Sequence, residues 1–307
     1  MSDTAGNLLF YTDGDTIWDK NHQPMPNGIG LMGCPLYGSS AQAALIVPQP
    51  GHDSLYYIFT TDCWENFGAF GLRYSIINMK LNGGLGDITS MKNILLHTPI
   101  TEGLTATYNC DETGVWIMSH EYNSNNYMCY FLDTNGINLI PVISSIGSVY
   151  NDYFCYMRFS PNGKFLASSF SSSSVSGELF KFDLVNGLLY DIISIPLFSG
   201  DYGTCFSPDN SKLFFTLGGA DVYQFDISAY NQFDIVNSKN QIDTTDNFIL
   251  GAISNGIDNK MYVAVVDEQK IGVIQSPNVY GSGSNMNLQG VMLSNKKSSL
   301  GLPDFIQ

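Results

Sequence analysis

Basic residues are scarce. Lys and Arg together number 13 against 28 Asp and Glu in 307 residues, a formal charge of −15 at pH 7. A surface so poor in cations cannot neutralise a run of phosphates, which argues against nucleic acid and anionic membrane surfaces as partners. Long hydrophobic runs are missing too: nothing approaches the ~18 apolar residues of a spanning helix, so no membrane insertion is expected. The start, MSDTAGNLLFYTDG, has neither the basic beginning nor the apolar core of a signal peptide. Charged residues reach only 13%, which is too little Lys, Glu and Arg for a helix-rich protein.

Chemical motifs are equally thin. The cysteines Cys34, Cys63, Cys110, Cys129, Cys155 and Cys205 include no CxxC pair, and they read as small buried thiols rather than a zinc site. His22, His52, His97 and His120 stand at no HxH, HxxxH or HExxH spacing, and neither a GxSxG elbow nor a phosphate-binding glycine loop is present. No cofactor is expected except calcium, for which Asp13, Asp15 and Asp19 are weak candidates. Their run loosely imitates an EF-hand loop, but Pro24 stands where that loop needs its glutamate.

What the chain has instead is repetition. Aromatic residues make up 13% and glycines number 30, the balance of strands joined by tight turns. Six cores, each a turn followed by an apolar strand, begin at Leu8, Leu55, Val115, Phe165, Leu213 and Met261, at intervals of about 47 to 60 residues. That period is the one four-stranded propeller blades produce. A short strand precedes every core after the first, a third follows each, and a looser fourth follows most, as in NILLHTPI, INLIPVISSI and LLYDIISIPL. The expected fold is an all-β, six-bladed propeller of four-stranded antiparallel blades, forming one domain over residues 1–307. Seven blades are the alternative, with the 60-residue second interval hiding extra strands. Since the first core lacks a preceding strand and LPDFIQ (302–307) lacks a following hairpin, the C-terminal segment is expected to pair with LLFYTDG and close the ring.

The wording of several segments is specific. GNLLFYTDG (6–14), MPNGIGLMG (25–33), AALIVPQPG (43–51), LYYIFTTD (55–62), LRYSIINMKLNGGLGDIT (72–89), FSPNGK (159–164), VYQFD (222–226) and GLPDFIQ (301–307) resemble the propeller-like region of large secreted Bacteroidetes proteins. Those proteins commonly end in a gliding-motility sorting domain read by the type IX secretion system. The resemblance implies a WD-repeat-like propeller, an extracellular or cell-surface setting and a binding role. It carries no ligand and no site residues, and the signal peptide and sorting domain of the family have no counterpart in these 307 residues.

In the propeller register, the loops entering the innermost strands and those between second and third strands share one face. The candidate ligand-binding residues there are Asp62, Trp64, Phe67, Phe70, Tyr122, Tyr150, Asp152, Tyr153 and Tyr202. Rings stack on the apolar faces of sugars or peptide side chains while short acids accept hydroxyl hydrogen bonds. Arg158, in an innermost strand, is placed either to offer a cation to a carboxylate in the channel or to pair with a neighbouring acid. Two readings follow: a non-catalytic binding or adhesion module for a glycan or protein, which is preferred, and a channel-centred lactonase, lyase or glycosidase. The inner-strand entrances Gln42, Thr105, Tyr156, Gly203 and Leu250 do not read as a ring of catalytic ligands.

Overall fold

The structure is a computed structural model that describes all residues except 36–37, 171–176, 197–200, 218–220 and 245–247, with the backbone alone at 201, 243 and 244. Most of the serine-rich loop 168–177 therefore lies outside the described residues. The strands form six antiparallel sheets in chain order. The first holds β1 (Phe10–Thr12), β2 (Thr16–Asp19) and β3 (Pro24–Ile29). The second runs β4 (Ala44–Pro48), β5 (Leu55–Thr61), β6 (Leu72–Asn78), with the short β7 (Asp87–Ile88) and β8 (Ile94–His97) both on β6. The third runs β9 (Ile100–Tyr108), β10 (Val115–Glu121), β11 (Ser124–Asp133), with β12 (Gly136–Ile137) and β13 (Val142–Tyr150) both on β11. The fourth is β14 (Cys155–Phe159), β15 (Phe165–Phe170), β16 (Gly177–Asp183) and β17 (Leu188–Ile195). The fifth is β18 (Asp201–Phe206), β19 (Lys212–Leu217), β20 (Asp221–Asp226) and β21 (Asn240–Thr244). The sixth is β22 (Leu250–Asn255), β23 (Met261–Val265), β24 (Lys270–Ile274) and β25 (Met286–Met292).

The hairpins are written into the turns. In FSPNGK the Ser160 hydroxyl accepts from the Phe165 N–H (3.0 Å) and donates to Asn162 Oδ1 (2.8 Å), and that oxygen also takes the Lys164 N–H (3.0 Å). FSPDNSK repeats the device, with Ser207 and Asp209 bracing Lys212 and Ser211. Such side-chain braces offer the backbone a turn in place of a ladder, so strand ends are set locally.

The core lies between sheets. Separate apolar clusters join the first sheet to the second, the second to the third, the third to the fourth, the fourth to the fifth and the fifth to the sixth. Hence the middle strands are covered on both faces: every residue of β19 is buried. Each large side chain so enclosed contributes roughly 1.5–3 kcal/mol. Trp116 of the third sheet donates through Nε1 to Leu184 O at 3.0 Å in the fourth, and any Cβ at Gly187 (φ +72°) would fall 2.7 Å from its ring. First strands of successive sheets are also neighbours, β9 against β14, β14 against β18 and β18 against β22.

Three details depart from a plain repeat of four-stranded sheets. The long second interval is absorbed by the split β7 and β8 and a 3-10 turn at Asn82–Gly84 within one sheet. Among the described residues one α-helix, α1 (Gln232–Asn237), stands between β20 and β21, capped by Asn231 Oδ1 accepting the Asp234 N–H (2.9 Å). The third difference is the closure. The edge of β1 is met by the N-terminus, where the Met1 amino group donates to Phe10 O (2.7 Å), Leu9 N–H donates to Met1 O (3.0 Å) and Ser2 bridges Leu8. Residues 302–307 form no strand on LLFYTDG. Leu300 O accepts from Ala252 N–H (2.8 Å) in β22, and at the far end Gln307 N–H donates to Ala106 O (3.0 Å) in β9. Met1 and Ser2 already occupy the edge of β1, and the tail instead carries Asp304 to the buried Arg158, whose charge it balances.

Candidate functional site

Four loops meet beside the entrances to β4, β9 and β14. The segment after β5 forms a 3-10 turn over Trp64–Asn66 that ends in left-handed Phe67 (φ 55°). Asp62, buried at its base, accepts from Asn66 Nδ2 (2.9 Å) and the Phe70 N–H (2.8 Å), so it is a brace and not a ligand-facing acid. Cys34 and Cys63 form a disulfide that ties this loop to the one before β4. The thiols expected to be free and buried therefore include one bonded pair; Cys129, Cys155 and Cys205 are buried free thiols and Cys110 is exposed. Spacing alone could not reveal the pair, because only the antiparallel course of β4 and β5 brings the two loops to one end of the sheet.

Glu102, at the start of β9, is the hub. Its Oε1 accepts the Trp64 N–H (3.0 Å), its Oε2 the Ala41 N–H (2.8 Å), and its own N–H donates to Tyr153 O (2.8 Å). Burial lifts this carboxyl to about 7, against two backbone N–H groups that favour the charged form, with Glu65 and Asp152 adding to the rise. A carboxyl titrating near neutrality resembles an acid–base catalyst, yet both oxygens are committed to main chain and the residue is 2% exposed. Its chemistry is to hold loops.

Upon that base sits an aromatic surface. Trp64 is 56% and Phe67 71% exposed, large values for rings on a doubly anchored loop. Tyr122 and Tyr153 lie face to face, centroids 3.9 Å apart and planes within 1°. Gly68 (φ +60°) leaves room for the Tyr153 ring, which a Cβ there would meet at 3.0 Å, and Gly68 O accepts from Thr98 Oγ1 (3.2 Å). Phe70 is half-buried, and Asp152 Oδ1 braces the turn by taking the Phe154 N–H (3.1 Å).

The remaining candidates lie elsewhere. Tyr150 is 1% exposed and stacks on Phe170 in the core between the third and fourth sheets, because it closes β13 with its side chain turned inward. Tyr202 packs with Phe154 near the axis, in a cluster with Ala41, Tyr156, Ala252 and Leu302. Arg158 is 1% exposed; burial opposes its charge, but Asp304, 2.6 Å from Nη2, holds the guanidinium pKa above its ordinary value. Of the two roles expected for Arg158, it takes the pairing one, with an acid of the C-terminal tail instead of a neighbouring sheet. The calcium candidates separate: Asp13 braces the β1–β2 turn through the Asp15 and Thr16 N–H groups, whereas Asp19 accepts from Asn21 and Gln23 at the other end of β2.

Reducing Cys34–Cys63 is expected to lower stability by about 2–4 kcal/mol, the usual worth of a bridge, and to loosen the Trp64 loop first. Thermal unfolding and hydrogen exchange with and without reductant check this; unchanged exchange at residues 63–70 would contradict it.

No family model and no curated protein matches the sequence. Solved structures do match in shape. A hydrazine synthase from Kuenenia stuttgartiensis superposes with a TM-score of 0.52 at 12% identity, over 89% of this chain and 74% of that one. A protein from Bacteroides uniformis named as a candidate 6-phosphogluconolactonase gives 0.51 at 12%, over 96% and 86%. Hsv2 from Kluyvelomyces marxianus gives 0.50 at 12%, over 91% and 78%. The fold is that of a β-propeller. Identities this low carry the fold and no activity.

Proposed function

We propose that the chain is a non-catalytic binding module, a six-bladed propeller acting outside the cell or at its surface, that holds a glycan or protein segment on the face of Trp64, Phe67, Tyr122 and Tyr153. The observation that carries this reading is the pair of exposed rings on a loop fixed by a disulfide, Asp62 and Glu102. Apolar surface kept in water on a rigid support costs solubility, and binding recovers that cost. The Cys34–Cys63 bridge also fits an oxidising, extracellular compartment, in keeping with the Bacteroidetes-like segments. The enzyme reading loses an axial cation to the chain's own Asp304 and the perturbed carboxyl of Glu102 to backbone bonds.

Trp64→Ala tests the proposal. Its unfolding temperature is expected to stay within ~2 °C of the parent, since a half-exposed ring adds little to the core. Binding on a glycan array, or to surface-protein fragments, should fall at least tenfold, because a stacked ring supplies ~0.5–1.5 kcal/mol beyond its buried area. Retained binding in a folded variant would refute the site.

A further inference from the structure

Arg158, Tyr156 and Gln42 are polar side chains exposed by 2% or less, and they converge on one carboxylate. Asp304 Oδ1 lies 2.6 Å from Arg158 Nη2 and accepts from the Tyr156 hydroxyl (3.4 Å), while Oδ2 accepts from Gln42 Nε2 (3.1 Å). Arg158 in turn donates to the Tyr156 oxygen at 2.7 Å, and Gln42 is locked by Leu104 N–H and Met157 N–H on its Oε1. Three preset donors aimed at two oxygens make a carboxylate receptor.

Its occupant belongs to no sheet. Leu302, Asp304 and Ile306 are partly buried while Pro303 and Phe305 are exposed, the alternation of an extended peptide laid on a surface. Leu302 sits with Ala41, Tyr156 and Ala252, and Ile306 against the cluster that contains Leu104 and Ala106. The receptor is also incompletely used: Arg158 Nε is buried and has no partner among the described residues, so the guanidinium grips with one nitrogen where a side-on carboxylate would engage two.

We infer that Gln42, Tyr156 and Arg158 form an axial binding site for an aspartate-bearing extended peptide of the pattern Leu-x-Asp-x-Ile, occupied here by the chain's own tail and able to take the same segment in trans. Donor geometry selects the acid; the apolar contacts two residues to either side select its neighbours.

The probe is the fluorescent peptide GLPDFIQ, with GLPNFIQ as control and the full-length Asp304→Ala chain as receptor. Asp304→Ala is expected to bind GLPDFIQ about tenfold or more tighter than the parent does, to discriminate against GLPNFIQ by a similar factor, and to lose binding when Arg158→Met is added. Saturating GLPDFIQ should raise the unfolding temperature of Asp304→Ala, a readout that holds even where the variant is weakly folded. In the parent, the Gln307 amide is expected to exchange about a hundredfold or more faster than Ile117 in β10, as a separable tail requires. Dimerisation of the parent that Asp304→Ala abolishes assigns the trans segment to a second copy; peptide capture by a monomer assigns it to another chain. Equal affinity for both peptides, no thermal rescue, or Gln307 exchanging at the core rate overturns the inference and makes the tail an inseparable part of the fold.

Discussion

Arg158→Met is expected to lower stability by ~3–5 kcal/mol, because it leaves the buried Asp304 carboxyl without its counter-charge, and burial already pushes that carboxyl up from its ordinary range. In a domain of this size that corresponds to a fall of roughly 10 °C in unfolding temperature. The side-chain carboxylate of Asp304 is 6% exposed, so water cannot replace the guanidinium. Tyr156 and Gln42 alone supply neutral donors, which are weaker by about half. Adding Asp304→Leu to Arg158→Met should return most of the loss, since an apolar pair removes both desolvation costs. Chemical denaturation of the parent, both single variants and the double variant closes the cycle. A single variant that unfolds within ~2 °C of the parent would show the pair to be solvated, contrary to the geometry.

The consequence reaches beyond stability. With Arg158, Tyr156 and Gln42 turned toward the tail, the proposed axial peptide site and the proposed aromatic loop face draw on separate residues. That division explains how one face can carry exposed Trp64 and Phe67 while the axial polar groups stay dry. It also separates the two proposals experimentally, because Trp64→Ala should not disturb peptide binding at the axis, nor Asp304→Ala the aromatic face.

Much of the fold was legible because its signals are local. Alternation, apolar cores and the FSPNGK-type turn placed the strands within a few residues, and the fourth strands expected in NILLHTPI, INLIPVISSI and LLYDIISIPL appear as β8, β13 and β17. Trp64 and Phe67 are exposed as a polar, glycine-bearing loop implies. What escaped was set by contacts between distant segments. Cys34 meets Cys63, and Asp304 meets Arg158, only once the sheets are stacked. The tail reads as a strand because its alternation fits one; alternation cannot tell a full ladder partner from an extended peptide held by side chains along its length and by main-chain bonds only at its end. Tyr150 and Asp62 show the same limit: a tyrosine before Asn-Asp and an aspartate before Cys-Trp look like loop surface, yet one closes a core strand and the other braces a turn from beneath. Glu102 carries no sequence signal that sets it apart, and only its two backbone donors mark it as the hub.

Histidine 120 carries the second large effect, on the acid side of the stability curve. It is wholly buried among Tyr127, Tyr150 and Phe170, and neither ring nitrogen has a hydrogen-bond partner among the described residues. Burial depresses its pKa to about 3, against a smaller opposing pull from Glu121. The unfolded chain, with an ordinary histidine near ~6.5, therefore binds a proton that the folded chain refuses throughout that window. Stability must fall as pH drops below ~6.5, by up to ~1.4 kcal/mol per unit from this group, and the loss levels off near about 3 where the folded imidazole also charges. Glu102 works in the opposite sense: its raised pKa favours the folded state at low pH and withdraws that support as pH rises from the ordinary carboxyl value toward about 7. The two slopes partly cancel between, so the parent curve alone cannot assign them. His120→Phe isolates the first. Its ring suits the aromatic surroundings and carries no proton, so its stability relative to the parent should grow steadily from pH 7 to pH 4 in urea denaturation, by several kcal/mol in all. A difference that stays constant over that range would mean that the folded protein protonates His120 as easily as water does, and that the imidazole is not sealed in the core.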